Sequence, residues 1–362
     1  MKIASLAALL ITSVMSSMSL AAPSGTTRTV VLEKNDAGGY RWKITQASMP
    51  EVGDRQVLVR VRAVALNRLD LDELEPSAGE DKSGRVPGYD AAGDVVAVGR
   101  LVKEFHPGMR VTSLYFENWV DGRFNSMMLE RVRGWTLDGV LSDYVVFEET
   151  SLAPMPEGLS YEEAATLPTA GLTAWNAVTA DRPLTANDVV LVQGTGGVAT
   201  FALQFAAKMG AHVIVTSSSD DKIRRAKSLG AREGINYRTR PAWADAVLEL
   251  TQQHGADLVI DIGGKDTLAQ SLKCVADDGS ISLVGGLTGY DGNVSSIGLI
   301  MKHARANGIF VGSRADYLRM SDFVVRHGIR PVIEKVYPLD QYEAALRHLA
   351  SNGFVGKIVL RL

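Results

Sequence analysis

The run VVLVQGTGGVATFALQFAAKMGA sets Gly194, Gly196 and Ala199 in a G-x-G-x-x-A spacing between a β-type run and an amphipathic one. In that setting each residue type has a task. Gly194 permits a tight turn, Gly196 lets backbone N–H groups approach a pyrophosphate, and small Ala199 lets a helix pack on the strand. Thr195, Gly197 and Val198 then sit at a helix N-terminus, whose free N–H groups and dipole attract an anion. The spacing predicts a dinucleotide site, and a purely structural glycine turn is its bland alternative.

A second feature bears on which dinucleotide. NAD sites place a carboxylate at the end of the next strand, about 20 residues on, to hold the ribose 2′-hydroxyl. This chain offers Thr216, Ser217, Ser218 and Ser219, then Asp220, Asp221, Lys222, Arg224 and Arg225. Small hydroxyls beside cations suit a 2′-phosphate, so NADP(H) is favoured over NAD(H), with Ser217, Ser218 and Lys222 as ligands. The competing reading makes the cations a solvated helix face and gives Asp220 to NAD.

Other chemistry is poorly represented. His106, His212, His254, His303, His327 and His348 are scattered, with no spacing such as H-E-x-x-H. The single cysteine, Cys274, forbids an internal disulfide and a multi-cysteine metal site, and it reads as a small buried hydrophobe. G-x-S-x-G is absent.

The elements that must position these residues follow from composition and pattern. With 362 residues, 46% hydrophobic and 22% charged, and a formal charge of −3, the chain has the makings of two domains with real cores. That balance excludes disorder and argues against a nucleic-acid partner. Only the N-terminus approaches a membrane-span pattern. Residues 1–22, with Lys2 before the apolar stretch Ile3 to Val14 and a Ser19-Leu20-Ala21 site, read as a signal peptide too short for a stable span. The expectation is an exported or periplasmic protein, or a cytoplasmic one if translation starts at Met15 or Met18.

From about residue 26 to 150 the chain alternates short β-rich runs with glycine and proline, without helical periodicity. From Val189 it alternates strand and helix: VVLVQ, HVIVT, INY, DLVIDI, SISLVG and IFVG are the strands, with helices near 197–209, 220–229, 243–253 and 267–275. Ser219 or Asp220 is placed to cap the second helix and Gly230 to end it. The predicted fold class is α/β: a mostly β domain beside a doubly wound parallel sheet.

The strings VPGYDAAGDVVAVG, HPGMRV and ATLPTAGLTAWNAV, in this order around the glycine turn, resemble the medium-chain dehydrogenase/reductase superfamily. The likeness is closest to its zinc-independent, quinone-oxidoreductase-like branch. It implies a GroES-like catalytic domain over 26–150 completed by 330–362, a Rossmann domain over 151–329, a cleft between them for a small-molecule substrate, and commonly a homodimer. Where zinc-containing members carry cysteine, histidine and cysteine, this chain has Asn67, Tyr89 and Thr169, none a good zinc ligand, so no zinc is expected. The segment of their structural zinc lobe, 113–139, contains no cysteine and carries Tyr115, Phe116, Trp119 and Trp135 instead.

The same resemblance implies roles for single residues. Asn67 is similar to an asparagine that hydrogen-bonds near the nicotinamide or substrate. Lys222 and Tyr237 line the adenosine phosphate end; Gly285, Gly286, Gly312 and Ser313 bring backbone to the nicotinamide half. Lys357 either reaches a phosphate or is merely solvated, and Asp70 and Asp90 are structural hydrogen-bond partners. Hydride transfer without a Lewis acid requires hydrogen-bond donors. Asn67 is the expected first donor, and Tyr89 a second donor or proton source if it faces the cleft, or a packing residue if it does not. Such a site favours quinones and activated alkenes or carbonyls. The alternatives are an NADPH-binding protein with little catalytic activity and a zinc-type alcohol dehydrogenase.

Overall fold

The computed structural model describes residues 25–76, 79–291 and 295–362. The expected signal segment, 1–22, lies outside the described residues. None of the described helices is long and apolar enough to cross a membrane.

The strands Val189–Gln193, His212–Ser217, Glu233–Asn236, Ala256–Asp261, Val275–Leu283 and Arg305–Gly308 form a parallel six-stranded sheet. Numbered along this domain, their spatial order is 3-2-1-4-5-6, the order of a Rossmann sheet. The central strands are apolar on both faces because helices cover both: Val190 to Val192 and Val213 to Val215 are all 0% exposed. Val189–Gln193 and Ala256–Asp261 are neighbours whose connections leave in opposite directions, which opens a crevice at their C-terminal ends. A buried network closes its floor. Asp261 accepts from Gln193, Ser271 and Thr267, while the Gln193 carbonyl accepts from the Ile262 and Gly263 N–H groups.

One expectation needs correction, and two helices stand where none was expected. The sixth strand is Arg305–Gly308 and not the IFVG run that follows it, because Phe310 leaves the sheet to join an aromatic cluster. The helices Leu172–Thr179 and Arg314–Arg326 carry no expectation from the sequence. Pro168 and the threonines around it disguise the first, which continues a π-type turn over Leu167–Gly171. Helix punctuation elsewhere holds: Ser219 accepts from the Lys222 N–H, and Gly230, at φ +118°, follows the helix Asp220–Ser228.

The β-rich part contains a two-stranded sheet, Thr26–Lys34 with Tyr40–Ser48, and a seven-stranded sheet built on Gln56–Ala65 and Asp90–Val98. Its other strands include two from the C-terminal segment, Ile333–Pro338 and Lys357–Arg361, the second pairing Val359 with Ala65. This late strand also touches the Rossmann part: the Gly356 N–H donates to the Thr195 carbonyl at 2.9 Å, and Gly356 bridges Gly196. One strand entrance thus reaches both the seven-stranded sheet and the glycine turn.

Candidate functional site

The glycine turn has the form a pyrophosphate needs. Gly194 sits at φ +81°, and added Cβ atoms at Gly194 and Gly196 would meet nothing within 4 Å. Gly196 precedes the helix Gly197–Lys208, and no capping side chain occupies the first-turn N–H groups. Thr195 is buried with its carbonyl held by Gly356.

At the end of the next strand, Ser217 closes that strand, half-buried Ser218 follows, and the Tyr237 N–H donates to the Ser217 carbonyl at 3.0 Å. Lys222 donates to the Asn352 carbonyl at 2.5 Å, while burial, and then nearby Arg238, hold its ammonium below the usual lysine range. Asp220 is exposed, and one of its carboxylate oxygens accepts from Asn236 at 2.9 Å. Arg238 was not singled out from the sequence, although the cation follows directly on Tyr237 in NYRTR.

At the opposite end, Gly285 and Gly286 are half-buried just past the strand Val275–Leu283. Gly312 and Ser313 are not in the open. A Cβ on Gly312 would collide with the Asn176 amide, and Ser313, 1% exposed, caps the helix Arg314–Arg326 in a reciprocal box with Asp316. Their visible work is packing and capping.

Asn67 leads a buried polar chain. Its amide N–H donates to Asp90 at 2.9 Å and weakly to the Ala65 carbonyl at 3.4 Å, and its carbonyl accepts from the Lys357 ammonium at 2.6 Å. Thr169 donates to the other Asp90 oxygen at 2.6 Å. The sequence reading of Lys357 as solvated or phosphate-bound meets a different geometry: it is 4% exposed, and its ammonium donates to the Leu66 carbonyl and to Asn67. Likewise the Asn67 amide donors point inward. Burial raises the Asp90 carboxyl and lowers the Lys357 ammonium, each opposed by the charge of the other.

Asp70 is fully buried and accepts from the Asn67 N–H at 2.6 Å, yet its second oxygen has no partner among the described residues. Burial pushes its carboxyl up to about 7. An unfolded aspartate titrates near 3.9, so the folded chain holds this proton more tightly. The resulting stability is complete below about pH 4 and is lost as pH rises to about 7. Urea midpoints of the wild type measured against Asp70→Asn should therefore decline over this window and level off above it. A flat difference would show that Asp70 ionises as in the unfolded chain, and a rising one that folding lowers its pKa.

Tyr89 is 2% exposed, stacks on Tyr115 at 5.8 Å, and donates a long 3.4 Å hydrogen bond to Glu73. Glu73 is buried beside Lys82 and Arg85, a cluster the sequence reading did not include. The aromatic lobe does pack across the domains: Tyr115 and Phe116 are buried against Phe310, with Trp119 and Phe124 on Phe116. Trp135 stands apart, 41% exposed.

The donor set does not fit zinc. The positions at issue present an amide oxygen already facing an ammonium, a phenol turned to Glu73 and a hydroxyl turned to Asp90, without thiolate or imidazole. A divalent ion at Asn67 would meet the Lys357 charge.

Residues 53–157 match the alcohol dehydrogenase GroES-like domain family and residues 197–326 the zinc-binding dehydrogenase family. A zinc-type alcohol dehydrogenase-like protein of Schizosaccharomyces pombe is 40% identical over 85% of this chain and 91% of its own length. A quinone oxidoreductase of Pseudomonas aeruginosa is 32% identical over 86% of this chain and 92% of its own. A crystal structure from Sinorhizobium meliloti 1021, described provisionally as an alcohol dehydrogenase, superposes with a TM-score of 0.88 at 40% identity, covering 94% of this chain and all of that one. A β-rich domain joined to a Rossmann domain across a dinucleotide turn defines an NAD(P)-dependent oxidoreductase. This chain belongs to the medium-chain dehydrogenase/reductase superfamily.

Proposed function

We propose that the chain is a zinc-independent, NADPH-dependent oxidoreductase that reduces a quinone or an activated alkene or carbonyl. The observation that carries this reading is the pairing of an open phosphate turn with a polar chain, Lys357, Asn67, Asp90 and Thr169, in which a side-chain cation stands where a metal would have to bind. The bound nicotinamide supplies the hydride. The protein holds the pyrophosphate on the N–H groups after Gly194 and keeps water out with the Tyr115, Phe116 and Phe310 wall. It meets developing negative charge with fixed dipoles rather than a Lewis acid. The quinone oxidoreductase relative agrees with this substrate class. A homodimer belongs to the same reading: Arg305–Gly308 is an edge strand, and Ile297, Ile300 and Met301 lie exposed on the helix before it.

The test is NADPH oxidation by chelator-treated protein against a set of quinones and conjugated enones, with NADH in parallel. Turnover that survives the chelator and is slower with NADH supports the reading. NADPH binding without turnover favours a binding protein, and turnover restored only by zinc favours the zinc-type alternative.

The 2′-phosphate pocket gives a separate prediction. Lys222→Glu should raise the NADPH Kd about 10- to 100-fold and change the NADH Kd less than about threefold, because it replaces a charge-assisted hydrogen bond to the phosphate with a like-charge repulsion. Equal weakening for both dinucleotides in a binding titration would remove Lys222 from the pocket.

A further inference from the structure

We propose that Lys357 is a positioning residue that links the glycine turn to Asn67, its stem braced on the turn and its ammonium selecting one orientation of the Asn67 amide. The inference concerns the site of the proposed reduction and, for its kinetic part, rests on that reading.

An asparagine amide has nearly identical shape in its two orientations, and only its partners decide between them. Here the partners are opposite in kind. An ammonium, which only donates, faces Oδ1 at 2.6 Å, and a carboxylate, which in its charged form only accepts, faces Nδ2 at 2.9 Å. Rotating the amide by half a turn would set N–H against ammonium and oxygen against carboxylate. Lys357 and Asp90 together therefore fix the amide, and Thr169 fixes Asp90 from its other oxygen at 2.6 Å.

The stem supplies the second half of the link. A Cβ on Gly197 would lie 2.5 Å from Lys357 Cδ and 3.2 Å from Cγ, so the methylenes pass directly over the first residue of the helix. The residue before Lys357 is tied to the same turn through the Gly356 N–H and the Thr195 carbonyl. A shift of the turn on taking up phosphate is thereby transmitted to Lys357, and through 2.6 Å to Asn67. The ammonium is not free for the phosphate itself, since two of its protons go to Leu66 and Asn67 in a 4% exposed setting.

The experiment uses the full chain, chelator-treated, with NADPH as probe, comparing Lys357→Met, Asn67→Ala, the double variant and Gly197→Ala. Lys357→Met should lower kcat about 10- to 100-fold, the cost of a slightly misplaced group, while the NADPH Kd moves less than about threefold. The double variant should be no slower than the slower single one, since both act through the same amide. Gly197→Ala keeps the charge but displaces the stem; because Gly197 also belongs to the phosphate turn, it is read by the Asn67 side-chain NH2 signal rather than by turnover, and faster exchange there, as in Lys357→Met, carries the test if Lys357→Met does not fold. Independently of turnover, the Asn67 side-chain NH2 signal, assigned by its disappearance in Asn67→Ala, should exchange with solvent at least about tenfold faster in Lys357→Met and should shift when NADPH is added to the wild type. An NADPH Kd raised more than about tenfold with kcat unchanged would make Lys357 a phosphate ligand and overturn the proposal. So would additive losses in the double variant, or an Asn67 signal indifferent to Lys357. A wild type that binds NADPH without turnover removes the proposed reaction, and the NMR comparison still decides the link.

Discussion

Gly356→Ala should cost about 3 kcal/mol or more, lower the unfolding midpoint by at least about 5 °C, and weaken NADPH binding several-fold. Gly356 sits at φ +84°, where an L side chain costs roughly 1–2 kcal/mol by itself. Its added Cβ would also run into the Val332 carbonyl, so backbone must move. That movement loosens the hydrogen bond to Thr195 and the turn with it. Gly210→Ala is the control: at φ +98° it carries a similar conformational cost, but its Cβ would meet Ala186 at an ordinary 3.7 Å. Thermal unfolding of the two variants separates collision from conformation. A Gly356→Ala midpoint equal to that of Gly210→Ala would mean that the strand entrance yields without effort.

Asp90→Ala is expected to be of similar size, about 3–5 kcal/mol, because it strands several groups at once. The fully buried carboxylate is the acceptor for Asn67 and Thr169, and the nearest countercharge to Lys357 along with Asp70. Without it, an ammonium and an amide N–H remain in a dry interior with too few acceptors. Thr169→Val removes one neutral donor only and should cost about 1 kcal/mol. Urea unfolding followed by circular dichroism measures both. If the two variants lose the same amount, the cluster is wetter or more yielding than its burial implies.

Much of the Rossmann half was legible because its signals are local. Runs such as VVLVQ and HVIVT are long enough to be strands buried on both faces, and Gly194, Gly196 and Ala199 each answer a steric demand of the same turn. The sixth strand was misplaced by four residues because hydrophobicity was followed, whereas the edge position takes RANG and sends the apolar IFV onward to the aromatic lobe. At the site, Asn67, Tyr89 and Thr169 were found as substitutions in a family pattern, but what each side chain bonds to was hidden. Lys357 lies 290 residues from Asn67, and no spacing rule connects residues that meet only when the last strand pairs with an early one of the same sheet. Glu73 and Arg238 escaped for the same reason: charged residues in loops read as solvated until packing shows otherwise.

That separation has a consequence for how the molecule forms. The strand Lys357–Arg361 lies between Ile333–Pro338 and Gln56–Ala65, so the early sheet lacks two of its members until the chain beyond the Rossmann segment is available. Loop closure over such a length is entropically slow, and an unpaired edge at Ala63 to Ala65 stays open in the meantime. The Rossmann segment is contiguous and can fold first as a template. The β-rich part then completes around it in a later, slower phase, during which the nascent chain has an exposed strand edge for a chaperone to guard.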